Sequence, residues 1–146
     1  MDEILKVLVV DDDEVDRMAV QRALSRAEVQ LELFEATNCA QAIQILKSTP
    51  MDCVFLDYRL PDQDGLALIR LIRSLEILSP LVVLTGQGDE QIAVDMMKAG
   101  ATDYLSKSKI SPGRLAQILL NAIRVYRAEQ EAILANRRLQ ESYELL

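Results

Sequence analysis

The sequence predicts an α/β domain: a doubly wound, five-stranded parallel sheet with five helices, the last of them extended. Three observations predict it. Short continuous apolar runs rich in β-branched residues recur along the chain, as in strands covered on both faces. Segments with helical apolar spacing alternate with these runs, the order that builds an open parallel sheet with helices on both sides. Beyond Gly113 the final helical segment meets neither proline nor glycine as far as Leu146. The 146 residues fit one domain, and a hydrophobic content of 50% is enough to fill its core.

The elements follow in order. Val7-Leu8-Val9-Val10 is the first strand, followed by Asp11, Asp12 and Asp13. Val15, Met18, Ala19 and Ala23 carry helical spacing and predict the apolar face of the first helix. Leu31, Leu33 and Phe34 suggest a second strand, and Ala40, Ala42, Ile43 and Leu46 a second helix that Pro50 closes. Cys53-Val54-Phe55-Leu56 is a third buried strand ending at Asp57. Leu60-Pro61-Asp62-Gln63-Asp64-Gly65 has turn chemistry, and Leu66, Ile69, Ile72 and Arg73 continue as a third helix. Leu81-Val82-Val83-Leu84 is a fourth strand ending at Thr85-Gly86. Ile92, Ala93, Met96 and Met97 mark a fourth helix that Gly100 stops. Thr102-Asp103-Tyr104-Leu105 is a short fifth strand, and Ser111-Pro112 opens the last helix, with serine as N-cap and proline at the first helical position.

That last helix outruns the domain. From Pro112 to Leu146 it would measure roughly 50 Å at 1.5 Å per residue, two to three times what covering the sheet requires. Ile118, Ala122, Val125, Glu129, Ala132, Asn136, Leu139, Tyr143 and Leu146 alternate in steps of four and three, a heptad seam with a polar Asn136 that would fix register. We therefore divide the chain into a domain over residues 1–126 and a helical extension over 127–146, a possible coiled-coil linker joining two copies. The sequence stops at Glu144-Leu145-Leu146 inside the helical pattern, as expected of the N-terminal piece of a longer protein whose helix feeds a further domain.

Composition narrows the chemistry. The net charge is −7, and the basic residues are scattered, which argues against a nucleic-acid partner for this segment. Cys39 and Cys53 have no metal-site spacing and read as small buried thiols. The longest apolar runs fall far short of the ~20 residues that span a bilayer, and no signal peptide is visible, so a soluble, cytoplasmic protein without membrane partners is expected. There is no histidine. Any chemistry must use carboxylates, hydroxyls, lysine or a bound ion.

The strand ends supply such a set. The first strand delivers Asp11 and Asp12, the third Asp57, the fourth Thr85, and Lys107 follows the fifth. In open parallel sheets the site lies beyond the carboxyl ends of the strands. Each residue alone has a plainer reading. Asp11 or Asp13 would serve as a helix N-cap, Thr85 as a turn residue and Lys107 as a solvated lysine. Together they place carboxylates near a hydroxyl and an ammonium. Crowded carboxylates repel unless a cation is present, and Mg²⁺ suits one or two carboxylates, waters and a phosphate oxygen. Asp57 would then be free to act as an oxygen nucleophile toward phosphorus.

Val9-Val10-Asp11-Asp12-Asp13, Leu56-Asp57-Tyr58-Arg59-Leu60-Pro61 with Asp64-Gly65, Leu84-Thr85-Gly86, and Gly100-Ala101-Thr102-Asp103-Tyr104-Leu105-Ser106-Lys107 resemble the receiver domains of two-component response regulators, over about residues 4–126. The resemblance implies the strand order 2-1-3-4-5. It implies Asp57 as phosphoacceptor and Mg²⁺ ligated by Asp12, Asp57 and the backbone carbonyl of Arg59, with Asp11 acting largely through water. Thr85 and Lys107 would bind the phosphoryl oxygens. Thr85 and Tyr104 would form a switch pair that reshapes the surface of helix four, strand five and helix five. The donor would be a histidine kinase or phosphotransfer protein. Two features depart from, or vary within, the family. The family carries proline after the lysine, joined by a cis bond. Here Ser108 follows Lys107, and a cis bond there would cost about 2.5–4 kcal/mol, so a trans bond and an altered loop are expected. Arg59 and Gln87 occupy positions where the family varies and tunes phosphate lifetime; the Arg59 side chain either reaches into the acidic pocket or lies in solvent.

Two other functions compete. A receiver that is never phosphorylated would act only as an interaction and dimerisation module, but such chains typically lack the acidic pair or the acceptor, and this one has both. A haloacid-dehalogenase-type Mg²⁺ phosphatase would use a D-x-D pattern, which Asp11-Asp12-Asp13 fits. That family also needs a downstream acidic pair and usually a cap insertion, for which this chain is short.

Overall fold

The structure, a computed structural model, describes residues 3–86 and 88–145. In chain order the elements are β1 (Leu5–Val10), α1 (Glu14–Ser25), β2 (Leu31–Ala36), α2 (Cys39–Ser48), β3 (Cys53–Asp57), α3 (Gly65–Ser74), β4 (Leu81–Thr85), α4 (Glu90–Ala99), β5 (Asp103–Ser106) and α5 (Pro112–Glu144), with a short 3-10 turn over Lys107–Lys109. Every strand pair is parallel, as the alternating pattern predicts, and the sheet order is β2-β1-β3-β4-β5, the order the family resemblance implies.

The apolar runs read as strands because both of their faces are buried. Leu8, Val10, Val54, Leu56, Leu81 and Val83 point to one side, where α2, α3 and α4 cover them with Ala42, Leu46, Leu68, Ile69, Ile72 and Met96. Val7, Val9, Cys53, Phe55, Val82 and Leu84 point to the other, against Val20, Leu24, Leu115, Leu119 and Ile123 of α1 and α5. Continuous burial holds only for the three central strands. The outermost strands β2 and β5 are half-exposed, because each lacks a neighbour on one side. Both thiols are buried and free, one on each face of the sheet. Burial pushes the Cys39 thiol up to about 12 and the Cys53 thiol well above its ordinary value.

Helix starts follow their capping residues. Asp13, Asn38, Asp64 and Ser111 cap α1, α2, α3 and α5, each side chain accepting from backbone N–H groups in the first turn. Gly100 ends α4 at φ +122°, a conformation that favours glycine. The face of α1 differs from expectation. Val20, Ala23 and Leu24 are buried, whereas Val15 is 72% and Met18 41% exposed. The segment carries two apolar stripes, and the one with Leu24 takes the core. In α4, Ala93 and Met96 are buried while Met97 faces outward. Along α5, Leu115, Leu119, Ala122 and Ile123 are buried, and from Arg127 to Leu145 only Gln130 is even half-buried. The seam residues Val125, Leu139 and Tyr143 are exposed; Leu146 lies outside the described residues.

Candidate functional site

The register brings the carboxyl ends of four strands to one edge. Val10 pairs with Leu56, Asp57 with Leu84, and Thr85 with Ser106. Asp11, one residue past β1, is 3% exposed. Its Oδ1 accepts the Asp13 N–H at 2.9 Å, and its own N–H donates to the Ala36 carbonyl at 3.0 Å. Asp57 closes β3, and its Oδ1 accepts the Tyr58 N–H at 2.8 Å. Asp12 is exposed at the mouth. Asp11, Asp12 and Asp57 each offer a carboxylate oxygen, all within 4.8 Å of one another. Three acidic oxygens at this spacing fit a hard cation, which takes oxygen ligands.

Lys107 enters this group from beyond β5. Its ammonium lies 3.2 Å from Asp11 Oδ2, 3.2 Å from Asp57 Oδ2 and 2.7 Å from Asp16 Oδ2. Burial works against the Lys107 charge, but the Asp16 hydrogen bond and the charges of Asp57 and Asp11 outweigh it and hold its pKa above the ordinary lysine value. Burial also raises the Asp11 pKa, although the Asp13 N–H and Lys107 oppose that shift. The Lys107–Ser108 bond is trans, as expected, since no peptide bond among the described residues is cis. The Lys107–Lys109 turn, whose Ser108 hydroxyl lies 2.9 Å from that of Ser106 just before it, delivers the lysine without the proline.

Thr85 is buried at the end of β4. It lines a shallow pocket together with Ala93, Tyr104 and Ser106. The Tyr104 ring, 51% exposed, stands outward. Arg59 lies two residues beyond Asp57, and its side chain is exposed, so of the two placements left open the solvent one is found. Gln87 lies outside the described residues. Gly65 seats α3 against the end of β3. A Cβ there would come within 2.6 Å of the Asp57 carbonyl oxygen and 2.9 Å of Tyr58 Cα, so this glycine is required by close backbone approach.

Sequence reasoning missed two carboxylates. Asp16, the third residue of α1, makes the shortest contact to Lys107; its partner lies 91 residues further along the chain, so no local spacing signals it. Asp62 was read as part of a turn. Its carboxylate instead accepts the N–H groups of Cys39 at 2.9 Å and Ala40 at 3.0 Å, capping α2 from a different loop. Asp13, the third residue of the D-x-D pattern, turns to Val15 N at 2.8 Å as a helix cap, away from the role a dehalogenase-type enzyme would give it. No helix among the described residues is long and apolar enough to cross a membrane.

Comparison with known proteins gives the family and the fold. The family described as "Response regulator receiver domain" matches residues 7–120. The response regulator protein PilR of Pseudomonas aeruginosa is 35% identical over 138 residues, covering 94% of this chain and 30% of the relative. The DNA-binding transcriptional regulator NtrC of Escherichia coli is 38% identical over 101 residues, covering 69% of this chain and 21% of the relative. The crystal structure of NtrX from Brucella abortus in complex with ADP superposes with a TM-score of 0.82 at 27% identity, covering 96% of this chain and 33% of that one. The chain thus spans about a third or less of these relatives. NtrC is named for DNA binding, so the expectation of no nucleic-acid partner, drawn from this segment's charge alone, finds no support among them. On its sequence, its sheet order and its clustered strand-end residues, this chain belongs to the response regulator receiver domain family.

Proposed function

We propose that the chain is a phosphorylation-dependent switch that accepts a phosphoryl group on Asp57 from a histidine kinase or phosphotransfer protein. One observation carries this reading: Lys107 reaches Asp57 at 3.2 Å, beside three carboxylates spaced for a cation. Asp12, Asp57 and the Arg59 backbone carbonyl would hold Mg²⁺, with Asp11 acting through water. A bound Mg²⁺ supplies neutralisation of the charge on the transferring group. An Asp57 oxygen forms a bond to phosphorus as the donor's P–N or P–O bond breaks, and the leaving group departs with that electron pair. Lys107 and the Thr85 hydroxyl hold the phosphoryl oxygens. Thr85 turning toward them would draw the outward Tyr104 ring into the pocket the two residues share, reshaping the surface of α4, β5 and α5. The chain would act as a signalling domain in the cytoplasm, catalysing only its own phosphotransfer and dephosphorylation.

Residues 1–126 form the switch in this reading, and residues 127–146 are a coiled-coil linker that pairs two copies. The exposed seam residues Val125, Leu139 and Tyr143 support that division. The test is intact mass after treatment with acetyl phosphate and Mg²⁺, beside an Asp57→Asn variant. We expect a gain of one phosphoryl group on the parent alone. No gain on the parent, with Mg²⁺ binding also absent, would leave a pure interaction module. Sedimentation of the same samples reports on pairing, and a monomer at high concentration in both states would remove the coiled coil.

A further inference from the structure

Lys107 is held by more than the cluster that fits a cation. Its ammonium has three N–H donors and three carboxylate neighbours: Asp16 at 2.7 Å, and Asp11 and Asp57 at 3.2 Å each. Asp11 and Asp57 belong to the cation-spaced group; Asp16 does not. It is the third residue of α1, and its N–H leans on the Asp13 cap at 3.4 Å. A divalent cation among Asp11, Asp12 and Asp57 would take two of the three lysine partners and repel the ammonium at the same time. A lysine left with no other anion would swing away on its flexible four-carbon stem. The third residue of α1 gives the ammonium one more carboxylate, outside that cation-spaced group.

We infer that Asp16 is a positioning residue, a tether that keeps Lys107 within reach of Asp57 once a cation occupies the site. The inference rests on the acceptor reading above. In that reading Lys107 exchanges its Asp57 contact for a phosphoryl oxygen and keeps its hydrogen bond to Asp16. A purely structural role for Asp16 is also physically available, because an acidic residue in the first turn of a helix interacts favourably with the helix dipole. The two roles separate in a double-mutant cycle, because a tether acts only through Lys107.

The experiment uses the full chain with acetyl phosphate at saturating Mg²⁺, and compares phosphorylation rate constants for Asp16→Asn, Asp16→Glu, Lys107→Met and the Asp16→Asn/Lys107→Met pair. The Asp16 side chain is 36% exposed and the asparagine is isosteric, so the variant should fold. We expect Asp16→Asn to slow the reaction about tenfold, the loss of one charge-assisted hydrogen bond in a partly wet site. Asp16→Glu, which retains the carboxylate, should recover most of the rate. In the Lys107→Met background the same Asp16→Asn change should matter by less than about twofold. Equal slowing in both backgrounds, or no slowing in the parent, would overturn the tether while leaving the acceptor reading intact. A parent that takes up no phosphoryl group would overturn both.

Discussion

Where the strands begin, charge is settled by protein groups. Arg73 donates to the Gly100 carbonyl at 2.8 and 3.0 Å and to the Ile77 and Ser79 carbonyls at 2.9 Å each, locking the turns that enter β4 and β5. Asp52 accepts the Lys6 N–H at 2.8 Å, and Arg127 pairs with Glu3 and Asp52. Where the strands end, Asp11, Asp12 and Asp57 crowd within 4.8 Å, and among the described residues Lys107 is the one cation within 4 Å of their carboxylate oxygens. The first edge satisfies its polar groups and serves stability. The second leaves like charges pressed together, an arrangement that an external cation relieves. The difference separates an edge whose charges the chain itself settles from one that, on the proposed reading, a cation would complete.

Breaking the settled edge should therefore have the largest effect on stability and the least on chemistry. Arg73→Ala removes donors from three carbonyls. With each loss costing on the order of 1 kcal/mol, we expect a destabilisation of about 3 kcal/mol in urea unfolding. Arg73→Lys should recover less than half, because an ammonium cannot reproduce the fork. The rate of phosphoryl uptake per folded molecule should be unchanged in both variants. A change in that rate at constant folded fraction would mean the two edges are coupled.

Relieving the crowded edge should be the next largest effect, with the opposite sign. Mg²⁺ at one hundred times its dissociation constant should raise the unfolding free energy of the parent by about 2.7 kcal/mol. Sodium chloride at matched ionic strength should not reproduce the gain. Asp12→Asn and Asp57→Asn should each shrink it, since each removes one of three carboxylates. Calorimetric melts with and without the ion decide the matter, and equal gains in all three proteins would place the cation elsewhere.

Much of this contrast was legible in the sequence. The runs ending at Asp11, Asp57 and Thr85 identify strands because two-sided burial leaves little room for polar residues, and residues that follow strands must meet at one edge. Ser111-Pro112 and Gly100 announced helix ends through local backbone chemistry. What escaped was set by long-range packing. Two stripes of α1 compete for the core, and only the docked helix decides in favour of Val20 and Leu24 over Val15 and Met18. Asp16 gains its role from a lysine 91 residues away, and Arg73 from a glycine carbonyl 27 residues away. No local pattern encodes either.

Asp62 offers the smallest effect and the sharpest separation, because it sits at the crowded edge yet settles its charge on the protein. The Cys39 N–H, with those of Ala40 and Gln63, pulls its carboxyl down to about 2. In an unfolded chain it would titrate near 3.9. The folded pKa is the lower of the two, so the unfolded state binds more protons between these values, and stability rises with pH there. The Asp62 contribution is therefore complete above about pH 4 and is lost as pH falls toward about 2. Asp62→Asn should lower the melting temperature slightly at neutral pH, and the gap should close across that acid window. Asn38→Ala removes the other cap of α2, which accepts the Gln41 N–H at 2.8 Å and does not titrate, so its deficit should stay constant over the same range. Melts of the three proteins at pH 2.5, 4 and 7 make the comparison. An Asp62→Asn deficit that persisted unchanged in acid would mean the capping carboxylate acts by shape alone, and that its charge, like those of its neighbours at this edge, is not settled by the fold.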